Sequence, residues 1–381
     1  MRGADGRDLE NEGRYRGVVR PNAGTLFVQS AAFLVVLVAV SAATAAAVAN
    51  RTRQAALVVY QTAASSIAVV RADGSGRHML PLSKGLQFSE PSLSRDGSRL
   101  AFTSVTGSGN TPSLIGISRL DGKGAYAIRL PENIDLDGPS WSPDGRLIAF
   151  NAYPVVSDTG TVVNNADLWV ARADGSHPRL LLNSANTAGD PSGIATQQGS
   201  SWMWSPDGRS IAIQWPSGDP RGLILNVEIV NVRNGEVRVL AQGSEPAWSS
   251  DGRRIAFISA TGIDVIGADG SGRRRVVRMP TAESDQYPVE PSWSHDGKTI
   301  AYWTGAEHPA LKLIDAAGRS KPRLLFRPTS ANPIPYRPEW SHDSRTLLVS
   351  AYSRGVWIVP VRAGSRPREL AKNGFDADWR G

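Results

Sequence analysis

The sequence GPSWSPDGRLIAF at positions 138–150 decides the fold, because the chain repeats it. Five further copies are EPSLSRDGSRLAF at 90–102, SWMWSPDGRSIAI at 201–213, EPAWSSDGRRIAF at 245–257, EPSWSHDGKTIAY at 290–302 and RPEWSHDSRTLLV at 337–349. The shared aspartates are 48, 63, 44, 45 and 47 residues apart: Asp96, Asp144, Asp207, Asp251, Asp296 and Asp343. A period in the forties, with several short strands per unit, indicates an all-β propeller.

The residues of each copy predict a hairpin. Pro143 suits the first central position of a type I turn and Asp144 the second, and Gly145 supplies the left-handed residue that closes the hairpin with a bulge. An apolar strand follows, then a loop, a third strand, a second glycine turn and a basic outer strand. We therefore expect four strands per unit, ordered from the inside of the ring outward.

The number of blades follows from two counts. The repeat occurs in six full copies, but the second glycine turn occurs seven times, beginning at Asp73-Gly74. Residues 56–60, 67–71 and 78–82 read as second, third and outer strands with no inner strand before them. The missing inner strand is FDADW at 375–379, where Trp379 is in register with Trp293. We predict a seven-bladed ring over 55–381, closed by the C-terminal strand; six blades with ragged ends is the alternative.

Composition excludes several classes of protein. Of the 381 residues, 41% are hydrophobic and 20% charged, as in folded proteins, and the absence of cysteine excludes disulfide frameworks, thiolate metal sites and cysteine nucleophiles. The net charge of +7 divides into +3 for residues 1–53 (seven basic, four acidic) and +4 for the remainder (35 basic, 31 acidic). We expect no nucleic-acid partner, and we interpret the arginines at 273–275 and 278 as a solvated outer strand.

The N-terminal segment predicts export. Residues 31–49 are almost wholly apolar, and basic residues are more numerous before this stretch than after it. We expect residues 1–24 in the cytoplasm, a single transmembrane signal anchor at 25–50, and a membrane-attached propeller outside the cell membrane. The alternative is a signal peptide cleaved after Ala49, which would give a secreted protein.

The phrase PSWSPDGRLIAF resembles the TolB-like, WD-like propeller repeat, and the resemblance covers about residues 55–381. It implies a propeller fold and leaves the function open, since the family spans TolB of the bacterial cell envelope, propeller domains of oligopeptidases, and lyases. TolB itself is expected to carry an α/β domain before the propeller. Here the expected membrane helix takes that place, so we expect a relative rather than TolB itself.

One position of the repeat predicts a ring of side chains at the mouth of the central channel. Three residues before each inner-strand tryptophan (Leu93 in the first copy) stand Glu90, Gly138, Ser201, Glu245, Glu290, Arg337 and Asp376. The acids could hold a cation or the basic end of a peptide, or they could cap backbone amides. We expect no other cofactor. The tryptophans themselves are interpreted as wedges between blades.

The longer, irregular loops share the face opposite the Asp-Gly turns and are the second candidate for binding. Aromatic residues there are Tyr153, Trp215, Tyr287 and Tyr336. Catalysis is not favoured, because the five histidines do not converge in the repeat and no Gly-x-Ser-x-Gly elbow occurs. We expect a monomeric, non-catalytic binding module for a protein or a cell-envelope glycan. The alternative is an exported carbohydrate-active lyase or hydrolase that uses the channel-mouth carboxylates.

Overall fold

The computed structural model describes most of the chain after residue 55. The described residues are 56–83, 85–106, 112–130, 134–156, 161–162, 166–183, 202–216, 225–279, 288–305, 308–328, 335–352 and 355–380. The predicted membrane segment and the cleavage site after Ala49 lie outside these residues. Within them, no helix has the length and apolar character needed to cross a bilayer.

The described strands form seven antiparallel sheets, as the two counts predicted. Blade one comprises β29 (Gly374–Arg380), β1 (Leu57–Thr62), β2 (Ile67–Arg71) and β3 (His78–Met79). Blade two comprises β4 (Leu86–Leu93), β5 (Arg99–Thr106), β6 (Leu114–Arg119) and β7 (Tyr126–Ile128). Blade three comprises β8 (Ile134–Trp141), β9 (Leu147–Val156), β11 (Asp167–Arg172) and β12 (Arg179–Leu182), and the short strand β10 (Thr161–Val162) pairs antiparallel with the end of β9.

The remaining four blades have the same strand order. Blade four comprises β13 (Trp202–Trp204), β14 (Ser210–Pro216), β15 (Leu225–Asn231) and β16 (Val237–Gln242). Blade five comprises β17 (Ser244–Trp248), β18 (Arg254–Ser259), β19 (Gly262–Gly267) and β20 (Arg274–Arg278). Blade six comprises β21 (Pro288–Trp293), β22 (Thr299–Thr304), β23 (Ala310–Asp315) and β24 (Arg323–Phe326). Blade seven comprises β25 (Glu339–Trp340), β26 (Thr346–Ala351), β27 (Gly355–Pro360) and β28 (Arg368–Ala371).

The ring closes as predicted, through the last strand of the chain. β29 pairs with β1 in antiparallel register, with Trp379 opposite Val58 and Asp378 opposite Val59. The first blade thus contains strands from both ends of the propeller sequence. Because β29 supplies the inner strand that the N-terminal strands lack, the inner edge of β1 is paired.

All six copies of the Asp-Gly turn have the same serine and aspartate, because these side chains hydrogen-bond within the turn. In blade five the Ser249 hydroxyl donates to Asp251 Oδ1 at 2.6 Å and accepts the Arg254 amide at 2.9 Å. The Gly252 amide closes the turn on the Ser249 carbonyl at 2.9 Å, with Gly252 at φ +67°. The serine and aspartate of the other five copies make the same 2.6 Å bond. Each unit therefore sets the register of its inner hairpin locally.

The inner-strand tryptophans fill the spaces between blades. The indole of Trp141 donates to the carbonyl of Ser92, and that of Trp340 to the carbonyl of Ser292, each in the preceding blade, at 3.0 and 3.1 Å. Trp204 and Trp248 make equivalent bonds to Ser140 and Met203. All these rings are buried. The tryptophans join neighbouring blades by packing and by one directional bond, as the wedge interpretation predicted.

Candidate functional site

The channel-mouth position of the repeat is a β-bulge in the inner strand. The backbone is left-handed there, with φ of 51° at Glu90, 52° at Glu245 and Glu290, 47° at Asp376 and 60° at Gly138. The pairing of each of these inner strands shifts register at the same place. A left-handed conformation costs a residue other than glycine on the order of 1 kcal/mol or more, so another interaction must compensate for it.

A hydrogen bond from the next blade to each carboxylate offsets the cost of the left-handed backbone. Glu90 Oε2 accepts the backbone amide of Gly138 at 2.8 Å and also the hydroxyl of Thr103 at 2.7 Å. Glu245 accepts the amide of Glu290 in the same way. Asp376 accepts the amide of Glu90. The bulge turns each carboxylate toward the equivalent bulge of the following blade, so these acids do cap backbone amides.

Arg337 departs from this pattern. Its Nε donates to Glu290 Oε2 at 3.1 Å, which makes it the cationic end of a chain running from Glu245 through Glu290. Burial, followed by the neighbouring charge of Glu290, raises the pKa of Glu245 to about 8. This side of the ring is therefore partly neutralised by its own arginine.

The other side of the channel mouth is acidic. Burial, and then the charge of Glu90, raise the pKa of Asp376 to about 8 and that of Asp137 to about 7. Asp137 accepts the side-chain amide of Asn151 at 2.9 Å. Asp137 and Asp376 thus both lie close enough to Glu90 to feel its charge, and both have pKa values near neutral pH.

A second layer of acids lies two residues further along the inner strands. Asp378 Oδ2 accepts the amide of Leu93 at 2.6 Å, while its Oδ1 pairs with Arg380 at 2.7 Å. Glu339 occupies the equivalent position of blade seven and accepts the amide of Trp379. Burial and the nearby charge of Asp378 raise the pKa of Glu339 well above its ordinary value. Glu339 and Asp378 also hydrogen-bond to each other through their side chains.

Two of the four predicted aromatic residues lie beside the acidic side of the mouth. Burial raises the pKa of Tyr336, and Asp376 and Glu90 raise it further, which places this phenol next to both carboxylates. Tyr153 donates to Asp137. Both tyrosines are half-buried. The structure therefore brings together Glu90, Asp376, Tyr336 and Tyr153 from three different blades and a connecting loop.

The other two aromatic residues do not join this group. Trp215 is only 8% exposed and packs in the core with Trp204 and Leu168, so the expectation of a surface aromatic was wrong there. The reason is that strand β14 extends through Trp215, whose ring turns toward the interior of the blade pair. Tyr287 and Ser201 lie outside the described residues.

Sequence reasoning missed Asp137, Glu339 and Asp378. A signal was available for two of them, since Glu339 and Asp378 each directly precede an inner-strand tryptophan, where the other copies have serine, alanine or methionine.

The prediction of a solvated outer strand for the arginine cluster was wrong in part. Arg273 and Arg275 are not simply solvated, because both bind the buried carboxylate of Asp264, at 2.8 and 3.2 Å.

Histidines do not contribute to the channel mouth in the described structure. His295 and His342 meet in neighbouring Asp-Gly turns, with ring centroids 5.2 Å apart. In the part of the chain that the structure describes, no group of three histidine, aspartate or glutamate side chains has the geometry of a metal site.

Comparison with known proteins supports the fold. The structure of an oligogalacturonate lyase from Vibrio parahaemolyticus matches with a TM-score of 0.52 and 11% identity, over 84% of this chain and 85% of that chain. The β-propeller domain of the Trilobed protease from Pyrococcus furiosus matches with a TM-score of 0.52 and 13% identity, over 81% and 87%. TolB from Acinetobacter baumannii matches with a TM-score of 0.47 and 16% identity, over 85% of this chain and 66% of that one.

No family model matches the chain, and no curated protein matches its sequence. The structural likenesses show a β-propeller and nothing about activity. One difference is topological: the Pyrococcus domain is described as having an open velcro topology, whereas here β29 pairs with β1 and closes the ring.

Proposed function

We propose that this protein is a non-catalytic binding module that captures a cationic group of a protein or cell-envelope component at the acidic side of its channel mouth. The observation that carries the proposal is the convergence of Glu90, Asp137 and Asp376. Glu90 is bound to the next blade, but among the described residues no arginine pairs with it as Arg337 does with Glu290. A ligand ammonium or guanidinium group would supply the missing positive charge.

The neighbouring tyrosines support a peptide end or side chain as the ligand. Tyr336 and Tyr153 offer half-buried rings and hydroxyls beside the carboxylates. An aromatic wall next to an acid suits the apolar stem and charged head of a lysine or arginine. Because Asp137 and Asp376 have pKa values of about 7 and 8, a bound cation would expel protons from them, and binding should tighten as the pH rises from 6 to 8.5.

We further propose that the propeller works outside the cell membrane, held there by the apolar segment at 31–49. The composition of that segment is the support for this location. Mass spectrometry of the mature protein from a membrane fraction tests it. An intact N-terminus in the membrane supports an anchor, a start at Asn50 in the soluble exported fraction supports a secreted protein, and a cytoplasmic full-length protein contradicts both.

The experiment that tests the binding proposal is a titration with a short lysine-terminated peptide, compared with the same peptide acetylated on its lysine. Glu90→Gln and Asp376→Asn should weaken binding of the unmodified peptide, whereas Glu369→Gln on the exposed outer strand β28 should leave it unchanged. Equal affinity for the two peptides, or equal affinity of all variants, would contradict the proposal.

The alternative, a carbohydrate-active enzyme, is favoured by one observation. A carboxyl with a pKa of about 7, such as Asp137, is protonated often enough near neutral pH to act as a general acid beside the second carboxyl group of Glu90. Assay of the exported domain on acidic and neutral polysaccharides, with Asp137→Asn as the comparison, tests this reading. Turnover that the variant abolishes would replace the binding proposal.

A further inference from the structure

Blade four contains a buried acid that has no basic partner among the described residues. Glu228 in β15 is only 6% exposed, and in the described part of the chain its side chain is bonded only to that of Asn226. Burial raises the pKa of Glu228 above its ordinary value. A carboxyl buried with so little compensation is costly, and such a group commonly has a function that offsets the cost.

The next blade shows what is missing. Asp264 occupies the same register position in β19 and is 2% exposed. It is neutralised by Arg273 and Arg275, both from its own outer strand region, with Arg275 directly opposite it. In blade four the residue opposite Glu228 is Val239, and Val237 lies two residues before it on the same side of β16.

These two valines are unusually exposed. Val239 is 57% and Val237 40% exposed, whereas the apolar residues of the blade core are nearly all below a tenth. β16 is also the longest of the outer strands, with six residues, and its outer edge pairs with no strand in the described structure. Edge strands usually carry charges that discourage pairing, as β20 does with its arginines. In β16 the face shared with Glu228 carries two exposed valines, and the one charged residue between them, Arg238, donates to the Ala268 carbonyl of blade five.

We propose that β16 is a docking edge for an extended basic segment of a partner protein, which adds a strand to blade four and directs an arginine or lysine to Glu228. A strand added to β16 would place its side chains about 10 Å from β15, two strand spacings away. The extended side chains of arginine and glutamate can span that gap together. Apolar residues on the same face of the added strand would cover Val237 and Val239, and the basic residue would replace the arginines that blade five supplies internally.

The charge of Glu228 specifies the occupant. A second copy of β16 would bring two valine faces and two buried carboxyls together with no cation for either, so self-pairing is disfavoured. An acidic or purely apolar strand would leave Glu228 uncompensated. This edge lies on the rim of the ring, whereas the function proposed above uses the channel mouth, so the two proposals are independent.

The test uses a short fluorescent peptide in which valine and arginine alternate with threonine, and a control peptide with glutamate in place of arginine. Wild-type propeller should bind the arginine peptide in preference to the glutamate peptide. Glu228→Gln, which keeps the shape and removes the charge, should weaken binding of the arginine peptide about tenfold or more. Val239→Arg, which imitates Arg275, should abolish it and should raise the melting temperature by pairing with Glu228.

The matched control is Met79→Arg. Met79 occupies the same register position in β3, is 48% exposed and lies opposite Ala68, so an arginine there has no acid to neutralise. It should change neither peptide binding nor the melting temperature. Equal binding of the two peptides, or unchanged binding in both Glu228→Gln and Val239→Arg, would overturn the proposal. Concentration-dependent dimerisation that Val239→Arg removes would also overturn it, since the occupant would then be a second copy.

Discussion

Asp378 Oδ2 accepts the backbone amide of Leu93 at 2.6 Å, across 285 residues of chain. Through this bond the last strand, which already pairs with β1 in blade one, is also attached to the inner strand of blade two. The closure therefore depends on side-chain chemistry as well as on the backbone ladder. Together with Asp376, which accepts the amide of Glu90, this carboxylate joins the end of the propeller sequence to its first complete blade.

Removing this carboxylate should loosen the closure. Asp378→Ala leaves the buried Leu93 amide without its acceptor and removes the carboxylate paired with Arg380, so we expect a loss of about 2–3 kcal/mol in the free energy of unfolding. Asp378→Asn keeps an acceptor oxygen and should lose less. Urea denaturation followed by tryptophan fluorescence measures both. Equal stability of Asp378→Ala and wild type would show that the bond does not hold the strand.

Deleting residues 374–381 tests the closure itself. The truncated protein would expose the inner edge of β1, and we expect it either to unfold or to dimerise by exchanging strands. Size-exclusion chromatography and thermal melting distinguish these outcomes from a stable monomer. A monomeric truncation with the wild-type melting temperature would contradict the closed ring.

The buried acids predict a loss of stability at alkaline pH. Asp376 stays protonated in the folded protein up to about pH 8, whereas an aspartate in the unfolded chain ionises near pH 4. The stability that this group contributes is therefore complete below about pH 4 and is lost as the pH rises through 8. The pKa of Glu339 is also raised in the folded protein, so its ionisation lowers stability at alkaline pH in the same way. The Asp376→Asn side chain remains neutral at all these pH values. At pH 9 we expect the free energy of unfolding of this variant to exceed that of wild type by on the order of 2 kcal/mol, and at pH 6 we expect a smaller difference.

Unfolding midpoints in urea at pH 6 and pH 9 measure this difference. Glu369→Gln serves as the control, since Glu369 lies exposed on β28 and should leave the pH dependence unchanged. A wild-type protein equally stable at the two pH values would show that these carboxyls are already ionised in the folded state.

The Asp-Gly turns predict a contrast between two adjacent serines. Ser249→Ala removes a fully buried hydroxyl that bonds both Asp251 and the Arg254 amide, and should cost about 1–3 kcal/mol. Ser250→Ala removes an exposed hydroxyl that donates to the His295 carbonyl, and should cost less than about 1 kcal/mol. Thermal and chemical denaturation measure both. The reverse order would contradict the role assigned to the turn serine.

Trp141 and Trp293 form a natural matched pair. Each carries an arginine over its ring, Arg99 and Arg254, with the guanidinium carbon 4.6 Å from the ring centroid in both cases. The indole of Trp141 donates to Ser92, whereas that of Trp293 is buried and has no hydrogen-bond partner. Trp141→Phe should therefore cost about 1 kcal/mol more in unfolding free energy than Trp293→Phe. Equal losses would show that packing alone determines the contribution of the wedge.

The local chemistry of the repeat determined much of this structure in advance. The turn at Ser249–Gly252 is set by neighbouring residues. The wedges such as Trp141 and the split first blade follow from aligning and counting the copies of the repeat. The left-handed bulge was not predicted from Glu90 or Asp376, because acids seldom take that conformation. Among the residues at this position of the repeat, only Gly138 is a glycine, the residue type that indicates a left-handed backbone.

Tertiary structure alone decided which charged groups meet. Asp376 lies near Glu90, and Asp378 bonds the amide of Leu93, only because the ring closes; the second pair is 285 positions apart in the chain. Asp378 meets Glu339 across the junction of blades seven and one. The burial of Trp215 and the absence of an arginine beside Glu228 likewise depend on the neighbouring blade and the outer strand rather than on the repeat. The sequence alone determined the seven blades, because each hairpin encodes its own register. The chemistry of the channel mouth and the rim depends on desolvation and on charges from other blades, and both are properties of the assembled ring.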